Sequence, residues 1–104
     1  MRVISQDGTI DVPYEISSFS MAVGKYENVE HAAIFCRNSS TAMGTKMAEY
    51  NSEEKAKKAM EELRYAYMVH TFVKMGQTPP DGIDEKLTMG LSGVFEFPAD
   101  EELE

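Results

Sequence analysis

The chain has 104 residues, 42% of them hydrophobic, and carries 18 Asp and Glu against 10 Lys and Arg for a formal net charge of -8. That length allows one small domain with its own core, and the acidic balance works against general binding to nucleic acid or anionic membranes. No apolar run approaches the ~20 residues that cross a bilayer, no basic-then-apolar leader opens the chain, and one cysteine forms no internal disulfide, so the expected location is a reducing cytoplasm.

Val3-Ile4-Ser5 reads as a first strand, Asp7-Gly8 as a two-residue turn with positive φ angles, and Thr9-Ile10-Asp11-Val12 as the returning strand. Pro13 lacks an amide proton, which ends that strand or places it at an edge. Residues 18–23 alternate, with Phe19, Met21 and Val23 on one face and Ser18, Ser20 and Ala22 on the other, the pattern of a half-buried strand. Residues 24–28 turn the chain. A stiffer strand covers residues 31–37, a polar loop residues 38–44, and a further strand residues 45–50.

The period then changes from two to 3.6. Asn51 with Glu54 three residues on is a capping pair, and Ala56, Met60, Leu63, Tyr67 and His70 share one helical face opposite Lys55, Lys57, Lys58, Glu61, Glu62 and Arg64. Gly76 and the Pro79-Pro80-Asp81-Gly82 run stop this helix, which spans about residues 52–75 and is about 36 Å long. Residues 94–97 form a last strand closed by Pro98. The expected fold is α+β: residues 1–98 form a single domain, an antiparallel sheet of four to six strands with one long α-helix packed across it. Residues 99–104 are an acidic C-terminal tail that frays.

One helix leaves part of such a sheet bare, and Tyr14, Tyr26 and Phe35 are candidates for its second face. Tyr65, Met68 and Phe72 add a second apolar stripe about 100° around the helix, so a homo-oligomer is expected. The other way to cover that stripe is the C-terminal segment, through Leu87, Leu91 and Phe95.

Catalytic patterns are weak. His31 and Cys36 lie five apart on one strand and face opposite ways, so only His70 can approach the thiol, and Cys36 reads as a small buried hydrophobe. The two histidines and one cysteine have no metal-ligand spacing, and Asp81, Asp84 and Glu85 lack the alternation of a calcium loop. The expectation is a protein that is not an enzyme and has no cofactor or metal. Residues 37–46 gather Arg37, Asn38, Ser39, Ser40, Thr41 and Lys46 in an otherwise acidic chain, without the geometry of a P-loop. They are the candidate binding site for an anionic ligand, with Tyr14, Tyr26 or Phe35 to stack a base. Clustered carboxylates can alternatively mimic a phosphate backbone and bind a basic protein partner.

Three stretches carry a resemblance. They are Arg2-Val3-Ile4-Ser5-Gln6-Asp7-Gly8-Thr9 with Pro13-Tyr14-Glu15, then Ala48-Glu49-Tyr50 followed by Ser52-Glu53-Glu54-Lys55-Ala56, and finally Phe95-Glu96-Phe97-Pro98-Ala99-Asp100-Glu101-Glu102. Together they resemble small proteins of Firmicutes and of their phages and prophages. No functional residue travels with that resemblance. What it implies is a setting in which short acidic proteins block host defence. Two mechanisms suit it: sequestration of a cyclic nucleotide or ADP-ribose-type immune signal, or an anti-CRISPR-like decoy that occupies a nucleic-acid enzyme. A structural accessory with no ligand is the third alternative.

Overall fold

The computed structural model describes residues 1–39, 44–74 and 93–103. In chain order they form β1 (Arg2–Ile4), β2 (Asp11–Pro13), β3 (Ser18–Tyr26), β4 (Val29–Arg37), β5 (Thr45–Tyr50), α1 (Glu53–Lys74) and β6 (Val94–Glu96). Two 3-10 turns, Tyr14–Ile16 and Asp100–Leu103, complete the set. The fold is α+β, with one long helix on antiparallel strands. In place of one continuous sheet there are two three-stranded sheets, ordered β2-β1-β6 and β3-β4-β5. In the first, β1 runs antiparallel to β2 but parallel to β6, with Val3 opposite both Val12 and Phe95. A parallel pair needs a long crossover rather than a hairpin, and everything between β1 and β6 serves as that connection.

The β1–β2 turn is wider than a two-residue hairpin. The Ser5 amide donates to the Ile10 carbonyl at 2.8 Å, so residues 6–9 make the bend and Gly8 takes φ +77° within it. The Asp7 carboxylate organises it by accepting from the Ser5 hydroxyl (2.6 Å), the Thr9 hydroxyl (2.7 Å) and the Thr9 amide (3.0 Å). Those donors, the Ser5 hydroxyl foremost, hold the Asp7 pKa down at about 2 against an ordinary 3.8. A depressed folded-state pKa adds stability above the unfolded value and loses it as pH falls through the folded one. Wild type therefore unfolds more easily from pH 4 down to pH 2, and its advantage over Asp7→Asn in urea midpoints shrinks across that window. A pH-independent difference between the two would contradict this role.

β3 and β4 form a hairpin of nine-residue strands whose two-residue turn is Glu27-Asn28, both with positive φ (51° and 64°). That is a type I′ turn, which matches the twist of the strands. Gly24, read above as part of a turn, instead lies within β3 opposite His31. On the inner face of this sheet sit Phe19, Met21, Ala32, Ile34, Cys36, Ala48 and Tyr50, while Ser18, Ser20, Ala22, Tyr26, His31, Phe35 and Arg37 look outward. A bulge between Ile34 and Phe35 lets Met47 join the buried side.

The helix starts one residue later than its sequence signal suggests. Ser52, not Asn51, is the cap: its hydroxyl accepts from the Lys55 amide at 3.2 Å. Glu30 on β4 accepts from the Glu53 amide at 2.6 Å, and the Asn51 amide expected to bond Glu54 is taken instead by Asp100 at 2.9 Å. The buried stripe is Ala56, Ala59, Leu63, Ala66 and Val69, whereas Met60, Tyr67 and His70 lie at its half-buried flank. Of the second stripe, Met68 is exposed, and Tyr65 and Phe72 are half-buried. Leu87 and Leu91 lie outside the described residues, as do the expected helix stop at 76–82 and the acidic run 81–85; Phe95 is in the core.

The acidic tail does not fray over residues 100–103. Leu103 is buried, and Asp100 accepts from the Asn51 amide at 2.9 Å and pairs with Lys55 at 3.2 Å. The contact with the Asn51 amide holds the Asp100 carboxyl below its ordinary pKa. Just before it, the Pro98 carbonyl accepts from the buried Tyr50 hydroxyl (2.8 Å) and from Gln6 (3.2 Å), which ties β5, β6 and the first hairpin together.

Candidate functional site

The 3-10 turn at Tyr14–Ile16 delivers the chain from β2 into β3 and sets Tyr14 against the helix. Its ring stacks on Tyr67 with centroids 4.1 Å apart and on Phe19 at 5.8 Å. Ser17 closes the turn, donating its hydroxyl to the Pro13 carbonyl at 2.6 Å and accepting from the Asn38 side-chain amide at 3.3 Å. That second bond exists because Ser18 pairs with Arg37, which brings the residue just past β4 to the start of β3.

Between this turn and α1 lies a cleft of about 250 Å³ lined by Tyr14, Ser17, Phe19, Met60, Leu63 and Arg64. Its floor is apolar and aromatic, its rim a hydroxyl and a guanidinium. Burial, and then the adjacent Tyr67 phenol, push the Tyr14 pKa up, so Tyr14 presents a neutral hydroxyl. Among the described residues Arg2, Lys46, Lys55 and Lys57 are each engaged by a carboxylate, while Arg64 makes no ion pair, nor do Lys25, Arg37, Lys58 and Lys74; of these unpaired cations Arg64 is the one that lines this cleft. An unneutralised guanidinium beside apolar walls favours a ligand with a flat face and an anionic group.

The residues singled out from the sequence fall into three places. Tyr14 lines the cleft, and Asn38 stands behind it, donating to the lining Ser17 hydroxyl. Arg37 points to the other side of the sheet, lying across Gly44, where an added Cβ would come within 3.4 Å of its Nε. Gly44 has φ +82° there, so both space and backbone favour glycine. Lys46 is also on that outer side, held by Glu49 at 3.0 Å, and lines a hollow with Asp7 and Glu49. Its hydrogen bond and charge are the main cause of the low Glu49 pKa, with His31 (3.4 Å) contributing less. Two carboxylates around one ammonium make a poor anion site. Tyr26 stands at the hairpin tip, 71% exposed, in an open groove of about 410 Å³ with Lys25, His31 and Glu49. Eight strand steps, roughly 26 Å, separate it from the Tyr14 end, so the two tyrosines cannot serve one small ligand. Ser39 is exposed, and Ser40 and Thr41 lie outside the described residues.

Arg64, Phe19 and Ser17 are the site residues that the sequence reading passed over. Arg64 stands four residues from Met60 and three from Tyr67, so it flanks the apolar stripe instead of opposing it. Cys36 is fully buried, and the His70 ring lies tilted against Tyr67 with centroids 6.4 Å apart. Among the described residues no group of three or more His, Cys, Asp or Glu is placed to hold a metal ion, and no helix is long and apolar enough to cross a membrane. Comparison with protein-family models, curated proteins and solved structures returned no match to this chain.

Proposed function

We propose that this is a non-enzymatic cytoplasmic binding protein of a phage or prophage, which blunts host immunity by sequestering a nucleotide-type signal in the Tyr14–Phe19–Arg64 cleft. The observation that carries this reading is the Arg64 guanidinium, without a carboxylate partner among the described residues, at the rim of an aromatic-floored cleft in a chain of net charge -8. A base stacked on such rings contributes ~1–3 kcal/mol, and a phosphate meeting Arg64 adds a charge-assisted contact. The cleft falls just under the ~300 Å³ at which drug-sized pockets begin, which suits one nucleoside unit with its phosphate rather than a whole cyclic dinucleotide. The resemblance to phage and prophage proteins supplies the setting.

A ligand that binds only the folded state raises the melting temperature, by the equivalent of about 2.7 kcal/mol at a concentration 100 times Kd. In a thermal-shift screen of cyclic dinucleotides, cyclic trinucleotides and cyclic ADP-ribose isomers, at least one class is expected to stabilise wild type. Arg64→Ala removes that shift, whereas Lys46→Ala and Tyr26→Ala keep it. If none of these ligands shifts wild type, or if Arg64→Ala responds as wild type does, the sequestration reading fails.

A further inference from the structure

The four sheet edges are not protected alike. β2 is three residues long, ends in Pro13 and carries the Arg2–Asp11 ion pair (2.8 Å). β6 is three residues long, with Pro98 two residues beyond its end. β5 bears a bulge, Lys46 and Glu49, and its outer edge is closed by Gln6, whose amide reaches the Met47 carbonyl (2.7 Å) and whose side chain takes the Glu49 amide (3.0 Å). These are the ordinary devices against edge-to-edge pairing. β3 has one of them, the lysine Lys25, and no other. It spans nine residues with no proline and no bulge, Lys25 is its only charge, and among the described residues no strand pairs with its outer edge.

We propose that β3 is a dimerisation edge, pairing antiparallel with β3 of a second copy of this chain to make one continuous six-stranded sheet. The hairpin geometry dictates the register. A two-residue turn makes Tyr26 and Val29 a hydrogen-bonded pair, so by alternation the backbone groups of Phe19, Met21, Val23 and Lys25 point away from β4. One two-fold register pairs all of these groups: Phe19 with the partner's Lys25, Met21 with the partner's Val23, and Ala22 with its own symmetry mate on the axis. No like charges oppose each other in it. In a chain of net charge -8, this strand carries no carboxylate, so repulsion between copies is weakest there. Gly24 fits the same picture: its φ is not in the left-handed region and no atom of the described residues lies within 4 Å of an added Cβ, so nothing among them requires a glycine there. The exposed Val23, Tyr26 and Val29 beside the edge supply apolar area. A single strand pair buries less than the ~800 Å² per partner of a standard interface, so the dimer is concentration-dependent. The register also sets the partner's Lys25 beside Phe19, at the floor of the Arg64 cleft.

Disulfide trapping tests the edge and the register together, without any ligand. On the axis, Ala22 and its mate form a non-hydrogen-bonded pair with Cα atoms ~4.5 Å apart, within disulfide reach, and native Cys36 is buried. Ala22→Cys should cross-link to a dimer under mild oxidation, while Ser20→Cys, whose partner position is Gly24, should not. In sedimentation, wild type should shift toward twice the chain mass as concentration rises. Val23→Pro, which removes an outward amide that the monomer does not use, and Ala22→Lys, which sets two ammonium groups at the axis, should weaken association at least ~10-fold with unchanged far-UV circular dichroism. Monomeric wild type at every concentration, equal cross-linking at residues 20 and 22, or a dimer that survives both Val23→Pro and Ala22→Lys overturns the proposal.

Discussion

Replacing Phe97 with alanine destabilises the domain by about 3–5 kcal/mol, read as a lower urea midpoint with an unchanged slope. The ring is 2% exposed and stands where the two sheets meet. It packs edge-on to Phe95 with centroids 5.3 Å apart and tilted against Phe19 at 6.3 Å, so it joins the end of β6 to the inner face of β3. Its amide also donates to the Ile4 carbonyl at 3.1 Å, extending the β1–β6 ladder by one bond. Truncation leaves a hole walled by rigid strands from both sheets, which cannot collapse to fill it. Small domains hold only about 5–15 kcal/mol in total, so the variant loses a large share of its stability. A loss below about 1 kcal/mol would mean that Phe97 is not the bridge between the sheets.

Ala59→Leu is the second large effect, in the opposite steric direction. Ala56, Ala59 and Ala66 are all at most 1% exposed and, with Leu63 and Val69, make up the buried face of α1, which packs on β4 and β5. Methyl groups at these positions set the helix close to Ala32, Ile34 and Ala48 on the sheet. A leucine at residue 59 adds three carbons to a fully buried position that lines none of the described clefts, and is expected to cost about 1–3 kcal/mol despite its good helix propensity. The control is Lys58→Leu on the exposed side, which should change stability by less than about 0.5 kcal/mol. Equal midpoints for the two leucine variants would show that the helix stands off the sheet.

The alanine stripe also explains where sequence patterning misplaced the helix face. Hydrophobic periodicity weights large side chains, and Met60, Tyr67 and His70 outvoted Ala59, Ala66 and Val69. The buried line is set by how closely helix and sheet approach, and small residues serve that better than large ones. The displaced residues are not idle: Met60 forms part of the cleft and Tyr67 stacks on Tyr14. Arg64 belongs to the solvated side of the helix as expected, and its part in the cleft comes from standing beside Met60 and Tyr67 at the half-buried flank.

Local chemistry by itself determined the long helix, the strands at residues 18–23, 31–37 and 45–50, the Pro13 edge and the α+β class, because each rests on neighbours within a few residues. Tertiary structure alone decided everything that depends on contacts far apart along the chain. It split the strands into two sheets by laying β6 parallel to β1, which no turn residue announces. It capped the helix with Glu30 and tied down the acidic tail through Asn51 and Lys55. It also sorted a cluster that is contiguous in sequence into residues on opposite faces of one sheet: adjacent strand positions alternate, so Arg37 turned away while Asn38 reached Ser17. The site lies where distant segments converge, and convergence is a property of packing.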